Sequence, residues 1–264
     1  MKIVVACKWA PNPQDATVGP DGAVDWSRAK PAVSEYDPVA VEVGRRLADE
    51  TGAELIGTVV GGPDAASAMA RKSVLSRGLD RLVVLADPAT EGSGTTVTGL
   101  ALAALVAHIG DVDLVLAGDS SVDVGAQLVP AVLAGALGRP ALLGVTAVQG
   151  TAGALRVERT LPGGSEVLAV TGPVVLAVTA DAVVPRVPGM KDILSAGKRP
   201  TEVLDLAALA GPARLLPDGL PAEPAVVGSA PPALRARRRQ VVDGSDPSAA
   251  AAELVAALRA DAVI

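Results

Sequence analysis

The sequence predicts an α/β protein: an open, mostly parallel, doubly wound sheet with an antiparallel extension, followed by a C-terminal arm and helix. Three observations predict it. Short apolar runs alternate with amphipathic segments between residues 2 and 145. Those runs are unbroken, as strands covered by helices on both faces must be. Beyond residue 150 a Gly-Gly pair separates two strand-like runs, which is a hairpin pattern. Half of the 264 residues are apolar, so a sizeable core can form. The length fits one large domain, or one domain with an appendage.

The elements follow in order. "KIVVAC" (2–7) reads as the first buried strand. "DPVAVEVGRRLADETG" (37–52) reads as a helix: Asp37 can cap it, Pro38 suits its first turn and Gly52 can end it. "ELIGTVVG" (54–61) is the second strand, and "DAASAMARKSVLSRG" (64–78) a helix stopped at Gly78. "RLVVLA" (81–86) is the third strand, and "TTVTGLALAALVAHIG" (95–110) the helix after it. "DLVLAG" (113–118) is the fourth strand, residues 125–137 a helix, and "PALLGV" (140–145) the fifth strand. The expected strand order is 3-2-1-4-5, the adenine-nucleotide-binding type of sheet. "ALRVERTL" (154–161) and "SEVLAVTG" (165–172) form the hairpin around Gly163 and Gly164, and "PVVLAVTAD" adds a strand.

Residues 1–210 thus make the α/β domain with its hairpin extension, and residues 211–264 an extended partner-binding arm with a terminal helix. Residues 211–245 are rich in Pro and Gly and lack periodicity. "DPSAAAAELVAALRADAVI" closes the chain as a helix capped by Asp246 or Ser248. A long arm ending in a separate helix serves a lone globule badly and an obligate complex well.

Composition narrows the chemistry. The formal charge of −6 argues against nucleic acid, whose phosphates are bound by Lys and Arg, and no aromatic set is present for base stacking. The only dense basic run, "RARRR" (235–239), reads as a solvated face or a contact with an acidic partner. With one Cys and one His, neither a four-ligand zinc site nor a four-thiolate cluster nor an internal disulfide can be built. His108 reads as a helix-end residue and Cys7 as a small buried thiol. The opening "MKIVVACKWAPNP" turns polar too soon for a signal peptide, and no uncharged run reaches the about 18 residues of a membrane span. A cytoplasmic protein is expected. Phe is absent, and Trp9, Trp26 and Tyr36 are the only aromatics, so the core must be aliphatic.

In open α/β sheets, ligands bind beyond the carboxyl ends of the strands where the order reverses. Here that point lies between the first and fourth strands. The loops there are "CKWAPNPQD" and "GDSSVDVGAQ". The second loop offers Ser120 and Ser121 as donors to a phosphate at a helix N-terminus. Asp119 and Asp123 could cap that helix, or bond a ribose hydroxyl or an adenine amino group. Capping alone and ligand binding both remain open. No G-x-x-x-x-G-K-[ST] occurs, no Gly-rich fingerprint follows the first strand, and "GSGTTV" (92–97) reads as a loop opening a helix. The residues offer a nucleotide pocket and no catalytic constellation.

Several stretches together resemble the beta subunit of electron-transfer flavoproteins, nearly from end to end. "SEYDPVAVEVGRRL" (34–47) resembles that family's Asn-Glu-Tyr-Asp helix start, and "GDSSVDVGAQLVPAVLAGALG" (118–138) its nucleotide loop. "VERTLPGGSEVLAVTGPVVLAVT" (157–179) resembles the family signature at Arg159, Gly163, Gly164, Glu166, Leu168 and Pro173. "PRVPGMKDILSAGKRP" (185–200) resembles the segment that follows it. The resemblance implies a heterodimer. An alpha subunit carries most contacts to one FAD, and this subunit covers the flavin face. Electrons pass from flavin dehydrogenases to a membrane quinone oxidoreductase, with no catalytic residue in the subunit itself. It also implies a structural AMP in contact with Ala6, Ser34, Gly61 and the loop residues Gly118, Asp119, Ser120, Ser121, Asp123, Val124, Gly125, Ala126 and Gln127. A dehydrogenase-docking segment falls on Pro188, Met190, Lys191 and Ile193, where Met190 is either an exposed anchor or a buried filler.

Departures mark a divergent member. Ser34 stands for the usual Asn, Val124 for a frequent Gly, and Asn12 for an Asp. Pro162 and Pro13 also break the pattern. Two other readings use the same sheet. One is a homodimeric adenine-nucleotide-binding regulator of the stress-protein type. The other is a bifurcating subunit with a second FAD in place of AMP, for which Val124 and Leu128 would narrow the room.

Overall fold

Alternate residues of the first strand, β1 (Lys2–Ala6), serve two different cores. Ile3 and Val5 pack on one face of the sheet, Val4 and Ala6 on the other. Successive strand side chains point to opposite faces, so an unbroken apolar run buries both. The computed structural model describes residues 1–209, 220–222, 224, 227, 228, 230, 233 and 239–264. They divide into two units, Met1–Val227 and Gly228–Ile264.

In the first unit, the segment after β1 holds four short strands, β2 (Trp9–Pro11), β3 (Thr17–Val18), β4 (Val24–Asp25) and β5 (Pro31–Val33). Then come α1 (Asp37–Thr51), β6 (Glu54–Gly61), α2 (Ala68–Leu75), β7 (Arg81–Ala86), α3 (Thr95–Ile109), β8 (Leu114–Gly118) and α4 (Val129–Leu137). Four strands follow: β9 (Ala141–Thr151), β10 (Ala154–Leu161) and β11 (Gly164–Val170), which form an antiparallel meander, and β12 (Val174–Val178). Helix α5 (Met190–Ala196) and β13 (Thr201–Leu204) complete the first unit's regular elements. The second unit contains α6 (Pro247–Ala260), capped by Asp246, whose Oδ1 accepts the amides of Ser248 and Ala249 at 2.9 and 3.2 Å.

One nine-stranded sheet runs β11-β10-β9-β12-β8-β1-β6-β7-β13. It is open and mostly parallel, as expected; β10 and β11 pair antiparallel. The order differs from 3-2-1-4-5 in two places: β13 adds a strand outside β7, and β12 is inserted beside β8. The strand beside β8 is β12, and the expected fifth strand, β9, lies beyond it. The physical reason is burial. Every residue of "VVLAV" in β12 is buried, whereas β9 is only partly covered and must carry the antiparallel hairpin on its free edge. The reversal between β1 and β8 is unaffected.

Two expected helix starts move and one expected cap fails. The helix expected over 125–137 starts at Val129, because Gly125 and Gln127 take left-handed φ of 63° and 56°. The helix expected over 64–78 is split: a 3-10 turn spans Pro63–Ala66, and Ser67 then caps α2 through the amide of Ala70. Asp37 does not cap α1. Tyr36 holds the cap position without a side-chain bond, and the Asp37 carboxylate turns elsewhere. Strands β2–β5 and β13 were not anticipated from the sequence. The basic run at 235–238 and most of the expected arm lie outside the described residues.

The signature residues have structural partners. Arg159 and Glu166 face each other across the β10–β11 pair, with Nε to Oε1 at 2.5 Å. Gly163 turns between them at φ 93°. Arg186 reaches the buried Glu42 of α1 at 2.6 Å, and Arg46 binds its other oxygen at 3.0 Å. These guanidinium bonds outweigh the burial of Glu42 and hold its carboxyl below the usual range.

An aliphatic core lets helices approach closely. At Gly99 on α3 a Cβ would lie 2.6 Å from Cγ1 and 2.7 Å from Cβ of Val132 on α4. At Gly135 on α4 a Cβ would meet nothing within 4 Å. The two helical glycines should therefore respond with opposite sign in urea unfolding. Gly99→Ala should cost about 1–3 kcal/mol by overpacking. Gly135→Ala should stabilise by about 0.5–1 kcal/mol. Equal responses would show that the α3–α4 contact yields.

Candidate functional site

The ends of β1, β6 and β8 surround a cavity of about 530 Å³ at the point where the strand order reverses. Ala6, Val60 and Ala117 supply apolar lining from the strand ends, and Leu102 adds to it from α3. The loops after β6, β7 and β8 complete the wall, joined by the segment that leaves β1.

That segment holds the site together. The buried carboxylate of Asp37 accepts the amide of Lys8 at 2.5 Å, tying the start of α1 to the exit of β1. Next, Lys8 and Trp9 reach in different directions. Lys8 Nζ donates to both oxygens of Asp123 in the loop after β8, at 2.7 and 2.6 Å. Trp9 Nε1 donates to Asp64 Oδ2 in the turn after β6, at 2.8 Å. Two consecutive residues thus bind two different walls. The loop after β7 is fixed to β6 by Thr90, whose Oγ1 donates to the Gly61 carbonyl at 2.8 Å.

The electrostatics are acidic. Among the described residues, Lys8 is the only Lys or Arg in the lining, against Asp37, Asp64, Glu91, Asp119 and Asp123. Burial pushes the Asp37 carboxyl up to about 7, against the pull of the Lys8 amide and charge. Burial also opposes ionisation of Asp123, but the bonds from Lys8 and Ser121 prevail and hold it below the usual range. Asp119 is raised by burial and then by Asp181. Its amide donates to the Val178 carbonyl at 3.0 Å, while its Oδ1 is buried without a hydrogen-bond partner.

The residues singled out from the sequence largely converge here. Ala6, Ser34, Gly61, Gly118, Asp119, Ser120, Ser121, Asp123, Val124, Ala126 and Gln127 line the cavity, and Gly125 does not. Val124 and Leu128 lie in its more exposed part, with 68% and 55% of their surfaces exposed. No side chain of the loop caps α4; Leu128 occupies the cap position. Asp123 is committed to Lys8, and Ser121 Oγ accepts the Gly125 amide at 3.4 Å. The capping reading of "GDSSVD" therefore fails. Lys8 and Trp9 line it too, from the loop after the first strand that was expected there but given no residue roles; Asp37, Thr90 and the stretch from Gly92 to Thr95 also line it and were not anticipated. The Gly-rich loop after the third strand was the available signal for the last of these.

Cys7 is buried, and burial pushes its thiol well up. His108 lies in the last turn of α3, with Nε2 2.9 Å from Glu202. Met190 is 73% exposed on α5 and is not a buried filler. Lys191 and Ile193 are exposed beside it, Pro188 is half-buried, and Val187 and Leu194 extend the apolar surface. No helix among the described residues is long and apolar enough to cross a membrane.

The raised carboxyl of Asp37 makes a pH prediction. The folded state binds its proton more tightly than the unfolded chain does, so wild type loses stability from about pH 4 to about pH 7. Asp37→Asn keeps an acceptor for the Lys8 amide and removes this titration. Its stability relative to wild type should rise across that window, by up to about 4 kcal/mol, and stay level above it. Parallel urea-unfolding profiles for the two proteins would contradict the assignment.

A family model of the electron transfer flavoprotein domain matches residues 22–209. The match covers more than half of the chain and includes α1, the loop after β8, the β10–β11 hairpin and α5. By fold and by this match, the chain belongs to the electron transfer flavoprotein family.

Proposed function

We propose that this chain is the beta subunit of a cytoplasmic, heterodimeric electron-transfer flavoprotein. In this reading an alpha subunit holds most of one FAD and this chain covers the flavin face. The dimer carries electrons from flavin dehydrogenases to a membrane quinone oxidoreductase. Bound FAD supplies the redox chemistry, and this chain contributes no catalytic residue. The C-terminal helix, α6 (Pro247–Ala260), engages the alpha subunit.

The observation that carries the reading is the cavity. The loop that resembles the family's nucleotide loop walls it and caps no helix. A volume of about 530 Å³ lies in the range of small-ligand sites. Its lining fits the adenosine part of AMP. Ala6, Val60, Leu102 and Ala117 offer apolar surface to a base. Asp119 Oδ1 is a buried acceptor in need of a donor, which a ribose hydroxyl or the adenine amino group supplies. Lys8 and Ser120 line the cavity as donors for a phosphate, with Asp123 competing for Lys8.

The test is to tag the chain in its native cells, purify it gently, denature it and identify what is released. A second, somewhat larger chain with one FAD and one AMP per pair is the expected result. Two FAD and no AMP would favour the bifurcating type instead. A lone chain without flavin would overturn the carrier reading and leave the stress-type regulator. The exposed anchor gives a second test: Met190→Asp should slow electron uptake from the dehydrogenase by about tenfold or more. The FAD content of the complex should be unchanged.

A further inference from the structure

We propose that Trp9 is the aromatic contact of the cavity, its indole packing against the heterocycle of the bound nucleotide. The proposal rests on the reading of the cavity as a nucleotide site. It names the side chain that makes the site select a purine over a bare sugar phosphate.

Trp9 is the one aromatic residue that lines the cavity among the described residues. The other linings are aliphatic, small, charged or amide side chains, so no other π face is available to a flat ring. Trp9 is also held in place from two directions. Its backbone pairs with Val33 in the β2–β5 ribbon, and its Nε1 donates to Asp64. That bond satisfies the only polar atom of the indole and leaves the remaining ring surface apolar. A ring fixed before binding loses little freedom when a ligand arrives.

Position supports the same role. Trp9 is bound to the turn after β6, while its neighbour Lys8 is bound to the loop after β8. A nucleotide with its base against Trp9 and its phosphate toward Lys8 uses both consecutive residues. Filling the edge of the core, against which Trp9 is partly packed, requires no particular ligand. The two roles predict different binding behaviour.

The test uses the full-length chain freed of nucleotide. Trp26 is the only other Trp and does not line the cavity, so Trp26→Phe leaves Trp9 as the sole indole of the chain. Its emission should be quenched by AMP and unchanged by ribose 5-phosphate. By calorimetry, Trp9→Ala should weaken AMP about tenfold or more and leave ribose 5-phosphate within about twofold. Trp9→Phe loses the bond to Asp64 but keeps a ring, and should recover most of the AMP affinity. AMP binding with unchanged Trp9 emission, or with full affinity in Trp9→Ala, would overturn the contact and leave the nucleotide cavity standing. Equal weakening of both ligands by both Trp9 variants would reduce Trp9 to a prop. Failure of AMP to bind the unaltered chain would overturn the cavity reading and this proposal together.

Discussion

The hydrogen bond from the Lys8 amide to the buried carboxylate of Asp37 is the joint on which the site depends. It sets where the chain goes after β1, and so which ways Lys8 and Trp9 reach. It is also a costly joint. Burial raises the carboxyl to about 7, which shows that desolvation outweighs the amide bond and the nearby Lys8 charge. The end of β8 must yield to the same corner. A Cβ at Gly118 would lie 2.7 Å from Cβ of Tyr36 and 3.1 Å from Asp37 Oδ1, so only glycine lets the strand pass this close.

Around that corner the walls are joined by polar contacts. The Lys8–Asp123 and Trp9–Asp64 contacts each join the exit of β1 to a neighbouring loop. Both are partly exposed, and partly exposed polar pairs contribute modestly to stability. Their weight lies in geometry. They bring three separate loops to one cavity at the reversal of the sheet, where a ligand meets strand ends rather than a flat face. The acidic lining makes the same point from charge. Among the described residues, its single Lys or Arg, Lys8, is already paired with Asp123, so the lining presents mainly carboxylate acceptors.

Elsewhere the family signature resolves into fold-building contacts. The Arg159–Glu166 pair sets the hairpin across β10 and β11, and Arg186 anchors the segment before α5 to Glu42 on α1. With Arg186 bound inward, the apolar side chains of Val187, Met190 and Leu194 are left exposed. They stand beside a half-buried ion pair, Arg186 with Glu42, rather than on an untethered loop.

The sequence by itself determined the elements and the neighbourhood of the site. Unbroken runs as short as "KIVVAC" and "DLVLAG" read as strands buried on both faces, and their alternation with helices predicts an open parallel sheet. The loop after the fourth strand was legible for the same reason, because such sheets bind ligands where the order reverses. Tertiary structure alone decided three further matters. It placed β12 beside β8, since the choice between two apolar strands rests on which one must also carry the hairpin. It gave Asp37 and Asp123 to Lys8 instead of to helix caps, because the nearest donor in space lies far away in sequence. And it brought Trp9 to the cavity through Asp64, a pairing that no spacing along the chain encodes, since it depends on two loops meeting across the edge of a folded sheet.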